Sequence, residues 1–328
     1  MTAYGLAQYL VSFLTVAGIY ALLCLALNIQ WGFGGLFNAG IAGFFAMGAY
    51  ASAILTAPAA VASGRFGGLG LPIPVGLAAA AVIAGATGWA VARICIRLKS
   101  DYLAMASIGI AEILRLGIVN EQWLTNGSLG IANIPRPFGA SVTGDASAWL
   151  FAAIVWALVG LCWLVCARLY DSPWGRALRA IRDNEDAARA VGKDVEALRL
   201  QTYVIGCALM GVAGALSAHY FRFLSPAATD TVLVTFLVWV MLIVGGSGNN
   251  TGAVLGALVI WGIWSVTEIA TARLPADWVA RSSYLRMFLV GLLLQVVLQR
   301  YRGGLAPERS PPLRADLTAP DTNRPPAV

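Results

Sequence analysis

Residues 171–199 read DSPWGRALRAIRDNEDAARAVGKDVEALR, a charged stretch set between two apolar runs at 148–169 and 200–221. That contrast decides the fold class. A helix rises about 1.5 Å per residue, so crossing a hydrocarbon core of about 30 Å takes about 20 apolar residues, and each flanking run is that long. Further apolar runs lie at 8–30, 36–57, 72–94, 102–120, 231–246, 252–272 and 283–300. Composition agrees: of 328 residues, 59% are hydrophobic and 12% charged, with a mean hydropathy of +0.75. A water-facing surface carries roughly a quarter charged residues, and about half that share fits a surface that faces lipid. The chain reads as an all-α polytopic membrane protein of about nine transmembrane helices. The range is roughly eight to ten, because the second run is rich in glycine and the fourth carries Glu112 and Arg115.

An odd number of spans puts the termini on opposite sides, and basic residues are held on the cytoplasmic side. With the C-terminus inside, the inner segments hold Arg93, Arg97 and Lys99; Arg168, Arg176, Arg179, Arg182, Arg189, Lys193 and Arg199; and Arg300, Arg302, Arg309, Arg314 and Arg324. The outer side holds Arg65, Arg136, Arg222, Arg273, Arg281 and Arg286. Fifteen of the 22 basic residues inside against six outside predicts an N-out, C-in chain. The net charge of +6 therefore reports orientation and not a nucleic-acid surface. The first basic residue is Arg65, so no cleaved signal peptide is expected. Cys24, Cys95, Cys162, Cys166 and Cys207 lie in or beside apolar runs, with no histidine or carboxylate at metal-ligand spacing, and are expected as small buried hydrophobes. From 303 to 328 the chain turns polar and proline-rich, which predicts a disordered cytoplasmic tail after a membrane domain over 1–302.

Within the loop 170–199, Asp171 or Ser172 can cap a helix, and Pro173 suits its first turn. Gly192 can end that helix, and Asp194 can cap the next one leading into the sixth span. At 100° per residue, Trp174, Ala177, Leu178, Ile181, Ala188 and Val191 form one apolar arc, interrupted by Asn184. Most charges lie opposite, spaced for Arg179–Asp183, Arg182–Asp186 and Glu185–Arg189 pairs, while Glu185 sits beside the arc. One apolar stripe and one charged face suit a helix on lipid headgroups as well as one docked on a protein. Two details favour docking: acids nearly as numerous as bases, which weakens attraction to anionic lipid, and the sharp stop at Gly192.

Asp186-Ala187-Ala188-x-x-x-Gly192 resembles the EAA-x3-G coupling motif of ABC importer permeases, with Asp in place of Glu. The wider string GRALRAIRDNEDAARAVGKDVEALRLQTYVIGCALMGVAGAL (175–216) is similar to the branched-chain amino acid ABC transporter permease family, specifically its LIV-type M subunit. Three more blocks agree in order: GGLFNAGIAGFFAMGAYASAIL (34–55), LKSDYLAMASIGIAEILRL (98–116) and GGSGNNTGAVLGA (245–257). The resemblance implies an ABC importer permease fold in a bacterial inner membrane. It further implies a second related permease subunit, two cytoplasmic ATPase subunits and a periplasmic substrate-binding protein as partners. Carried over, Arg176, Arg179, Arg182, Glu185, Asp186, Ala187, Ala188 and Gly192 form the surface that seats on an ATPase. No G-x-x-x-x-G-K-[ST] loop is present, since Gly192-Lys193 lacks the earlier Gly and precedes Asp194, so ATP is expected on the partner subunits and no cofactor on this chain.

Glycines punctuate two segments: Gly40, Gly43 and Gly48 among others at the second span, and Gly245, Gly246 and Gly252 at the eighth. Glycine weakens a helix by about 1 kcal/mol relative to alanine, so such runs predict broken helix lining a pathway or close helix packing. Both segments share a GG-x-(4 or 5)-G pattern. This chain has Asn38-Ala39-Gly40-Ile41 where many M subunits carry a Ser-Leu-Gly-His-type run, leaving Asn38 as the polar group there. Glu112 and Arg115, i,i+3 within the fourth span, are expected as a structural ion pair beside the pathway, and Glu268 with Arg273 as an interface pair. His219 and Arg222 are expected to snorkel outward at the end of the sixth span. The outer loop 121–147, with Asn126-Gly127-Ser128-Leu129-Gly130-Ile131, resembles the family's external loop and implies a seat for the binding protein. Branched-chain amino acids are the implied substrate, with urea or short amides as alternatives within the same importer class. An ion-coupled secondary transporter is the rival of a different class, and it would not need a capped cytoplasmic helix. An enzyme is not indicated, because one histidine and scattered carboxylates supply no convergent catalytic set.

Overall fold

The computed structural model describes residues 3–58, 67–98, 100–137, 145–271, 276–301 and 303–308, with only the backbone of 276–287 and of a few other helix residues. Each expected apolar run contains a helix: α1 (Ala3–Leu27), α2 (Ile41–Thr56), α3 (Ile73–Cys95), α4 (Ser100–Asn120), then, after the short α5 (Gln122–Thr125), α6 (Asp145–Asp171). The charged loop holds α7 (Pro173–Asp183) and α8 (Glu185–Ala190), and α9 (Val195–Phe221), α10 (Thr231–Gly245), α11 (Asn250–Thr271) and α12 (Ala276–Arg300) follow. Among the described residues, six of these helices are long and apolar enough to cross a membrane, α1 together with its continuation through Phe33, while 41–56, 233–245 and 288–300 are shorter apolar helices.

α9 packs along α2 and α3, and α1 packs against α6, α9, α10 and α11, so one apolar core runs through all of them. α4 is the least buried of the long spans. Residues expected inside gather at one end: Phe33–Gly35, the loop 171–194, the 246–249 turn and 301–308. The opposite end holds a two-stranded ribbon, β1 (Ile131–Ala132) against β2 (Phe223–Leu224), and the junction of Tyr4 with Asp145 at the starts of α1 and α6. Arg65, Lys99, Arg273, Arg302, Arg309, Arg314 and Arg324, which entered the orientation count, lie outside the described residues, as does the partner suggested for Glu268.

The second span departs from a plain helix. Sixteen residues reach only about 24 Å at 1.5 Å each, short of a full crossing. The missing depth is filled by a π-helical extension of α1, Asn28–Phe33, and by irregular chain from 34 to 40. Backbone without helix survives at such depth only if protein satisfies its polar groups. It does: Gly35 N–H donates to Trp31 O (3.0 Å), Leu36 to Gln30 O (2.9 Å) and Gly43 to Gly40 O (3.1 Å). Side chains take the rest, with Ala39 N–H on Ser107 Oγ (2.9 Å) and Gly40 N–H on Asn38 Oδ1 (2.8 Å).

Candidate functional site

The charged loop folds as two capped helices, where the sequence suggested one. Ser172 Oγ accepts from Gly175 N–H (3.2 Å) and Pro173 opens α7. Asn184 then leaves helical geometry and its side chain accepts from Ala187 N–H (3.0 Å), so the residue read as an interruption is the cap of α8. Gly192 ends α8 at φ +77°, a conformation that costs a residue with a Cβ. Asp194 caps α9 through Ala197 N–H at 3.0 Å. These caps fall where helix start and stop rules place them, except the one at Asn184.

Most of the apolar arc packs against this chain. Leu178, Ile181 and Ala188 are buried against this chain, Ile181 and Ala188 with Val195 in a small cluster under the loop. Val191 alone of the arc is strongly exposed, at 73%. Beyond the Asn184 break the loop exposes Asp186, Ala187, Arg189, Ala190, Val191 and Gly192 together. Ala188, expected as a contact residue, is a core residue instead.

The arginines turn back as well. Arg176 donates to Asp171 O and Arg179 to Tyr170 O, both at 2.8 Å, meeting carbonyls at the end of α6 where a cation suits the helix dipole. Arg179 also lies 3.8 Å over the Tyr170 ring. Gly175 sits so close to that turn that a Cβ would come 2.6 Å from Tyr170 O. Arg182 donates to Gly32 O and pairs with Asp183 (3.2 Å) and Glu308 (3.0 Å). Burial pulls its guanidinium down, but Glu308 and Asp183 outweigh burial and hold it above its ordinary value. Of the three i,i+4 pairs expected, Glu185–Arg189 forms (2.8 Å), whereas Arg179 and Arg182 find the partners just named. Glu185 also takes Arg199 of α9 at 2.8 Å, which explains a carboxylate beside the apolar arc. The loop is thus pinned to α6 on one side and α9 on the other. A cleft of ≈ 280 Å³ remains between it and Gly34–Gly35, lined by Ile181, Arg182, Asn184 and Arg199.

Asn38 is fully buried, and both ends of its side chain are used: Nδ2 donates to Gln30 Oε1 (2.9 Å) and Oδ1 accepts from Gly40. Gln30 in turn donates to Tyr203 O (2.9 Å), and Trp239 Nε1 reaches Asn38 O at 3.2 Å. This closed network ties the break before α2 to α9 and α10. The glycines serve contact. A Cβ on Gly43 would come 2.8 Å from Ala111 Cα, one on Gly40 2.5 Å from Ser107 O, and one on Gly48 would run into the Gly211 backbone. Gly245 meets Gly252 across α10 and α11 in the same way, and Gly246 sits at φ +111°. None of these residues lines the cleft above or the apolar cavity of ≈ 390 Å³ between Tyr20, Leu23, Phe45, Ser217, Val234 and Trp261.

Glu112 and Arg115 pair through Nε to both carboxylate oxygens, at 2.9 and 3.0 Å, half-exposed on α4. His219 does not snorkel: it is buried between Ser52 Oγ (2.9 Å) and Pro135 O (2.7 Å). In the outer loop, Asn126, Gly127 and Gly130 take positive φ, and the turn delivers Ile131 to its pairing with Leu224. The five cysteines are free and buried, and no metal-ligating cluster exists among the described residues. The tail expected to be disordered from 303 begins with a docked segment, since Leu305 N–H bonds Val244 O and Ala306 N–H bonds Gly245 O, both at 2.9 Å.

Residues 9–298 match the family described as the branched-chain amino acid transport system permease component. The chain is 30% identical to a probable branched-chain amino acid transport permease protein LivM of Methanocaldococcus jannaschii, over 92% of this chain and 94% of that one. It is 31% identical to the high-affinity branched-chain amino acid transport system permease protein LivM of Escherichia coli K12, over 92% of this chain and 70% of that one. Identity to LivH of the same organism is 25%, over 88% and 93% respectively. No solved structure matches.

Proposed function

The chain belongs to the branched-chain amino acid transport permease family, and we propose that it is one of two membrane-spanning halves of an ATP-driven importer of leucine, isoleucine and valine. Its similarity to both LivM and LivH supports pairing with a related permease. Two ATPase subunits supply the energy and an external binding protein delivers substrate. The chain sits N-out and C-in in the bacterial inner membrane, so the charged loop meets the ATPases.

The observation that carries this reading is the capped α7–α8 unit. Its back is fixed to α6 and α9, and its face of Asp186, Ala187, Ala190, Val191 and Gly192 is exposed among the described residues. A rigid knob of that kind passes an external push into two spans. Labelled leucine uptake by cells holding the whole system tests it, with urea and short amides as competitors. Uptake lost on ATP depletion with the ion gradient intact is expected, and leucine should be displaced by isoleucine and valine alone. Uptake that survives ATP depletion refutes the coupling, and displacement by urea or amides refutes the substrate.

A further inference from the structure

We propose that Glu308 is a positioning residue of the transport cycle, which links the ATPase-facing loop to the α10–α11 junction and to the end of α1. The proposal rests on the importer reading above. The segment Gly303–Glu308 runs back along the end of α10, held by the Leu305 and Ala306 backbone bonds and by Asn249 Nδ2 donating to Pro307 O (3.1 Å). The approach is close enough that a Cβ on Gly304, at φ +72°, would lie 2.5 Å from Gly246 Cα. This docking delivers one carboxylate to three elements. Glu308 takes Arg182 of α7 at 3.0 Å and the Tyr170 hydroxyl of α6 at 3.2 Å, and a Cβ on Gly248 would touch its Cδ at 2.8 Å.

Arg182 extends the link, because the same guanidinium donates to Gly32 O at the π-helical end of α1. Asn28 of that turn accepts from Gly248 N–H (2.8 Å) and donates to Asn250 Oδ1 (2.9 Å). The loop moves α6 and α9 through the chain itself and through the Glu185–Arg199 pair. α1, α10 and α11 have no such covalent tie; Arg182 itself reaches α1 at Gly32 O, and its pair with Glu308 joins the loop to the α10–α11 turn. Both side chains are about a quarter exposed, at 25% and 28%. The pair is therefore shielded more than a surface ion pair, yet can part and re-form.

The test uses the complete importer in proteoliposomes: both permeases, both ATPases and the binding protein. It measures solute imported per ATP hydrolysed in wild type, Glu308→Gln, and the charge exchange Arg182→Glu with Glu308→Arg. Glu308→Gln is expected to retain both ATPases and to lower that ratio about tenfold, within the usual range for coupling between sites. The exchange is expected to recover part of it. A ratio within about twofold of wild type overturns the proposal. So does a parallel fall of uptake, hydrolysis and melting temperature without recovery in the exchange, the signature of a structural staple. The ratio is read with whichever solute the wild-type importer carries, so an error in substrate leaves the test intact. A wild-type complex without ATP-dependent uptake of any solute would instead strike the importer reading.

Discussion

Two neighbouring alanines of the coupling loop should fail in different ways when each is changed to arginine. Ala188 is 3% exposed and packed with Ile181 and Val195, so Ala188→Arg forces a guanidinium into a small apolar cluster beside which the Glu185 carboxylate is already shared by Arg189 and Arg199. An uncompensated buried charge costs about 3–5 kcal/mol, and α8, only six residues long, has little else to hold it. At 1.4 kcal/mol per decade, even about 3 kcal/mol raises the open population about a hundredfold. Hydrogen exchange of the 173–192 amides in detergent-purified permease should accelerate by that factor, with the spans unchanged. Ala187 is exposed, where a substitution stays within about 0.5 kcal/mol. Ala187→Arg should leave exchange as in wild type and still abolish ATPase co-purification. Normal exchange in Ala188→Arg, or an Ala187→Arg permease that keeps both ATPases and full uptake, would refute the assignment of faces.

Gly48→Ala should push α2 off α9 at a cost of about 1–3 kcal/mol or more, seen as a lower melting temperature. Gly109→Ala, where a Cβ meets nothing within 4 Å, should hold or raise it. Asn38→Ala strands Gln30 Oε1 and Gly40 N–H, each worth about 1–3 kcal/mol when buried unpaired, so stability and maximal uptake should fall while KM stays. A raised KM at unchanged stability would instead place Asn38 in the substrate path. Gly192→Val, forced to φ +77°, should loosen the end of α8 by about 1–2 kcal/mol and reduce ATPase co-purification, whereas Gly192→Asn should be tolerated.

Caps and spans were legible because they are local. Ser172, Pro173, Gly192 and Asp194 act on backbone within four residues of themselves, and a crossing helix announces itself by length and hydropathy. The wheel placed Ala188 on the apolar arc with Ile181, and the two do pack in one cluster; what it hid was the break at Asn184 and the exposure of Val191 beyond it. The partner of Arg182 was not legible either. Arg182 has a nearby acid in sequence, but an acid 126 residues away holds it in space, in a tail whose composition suggested disorder. The glycine runs suggested pathway-lining breaks or close packing, and the structure has irregular chain at 34–40 and close backbone approach at Gly43, Gly48 and Gly245. Asn28 and Gln30 carried a readable signal that hydropathy averaging hides: two amides at the end of an apolar run must find partners when buried, and theirs are the two breaks.

Those amides also explain why the two glycine segments, too unlike to establish a repeat, resemble each other in use. Each stops a span short: α2 begins at 41 after a break at 34–40, and α10 ends at 245 before the turn at 246–249. A shortened span leaves buried helix-end groups that must find partners within the protein. α1 serves both from one π-helical turn, with Gln30 reaching Asn38 beside the first break and Asn28 reaching Gly248 and Asn250 at the second. Both amides stand on this single π-helical turn, two residues apart. Straightening that turn should therefore disturb both junctions together, and the α2 start and the α10–α11 turn should lose hydrogen-exchange protection as one unit and not separately.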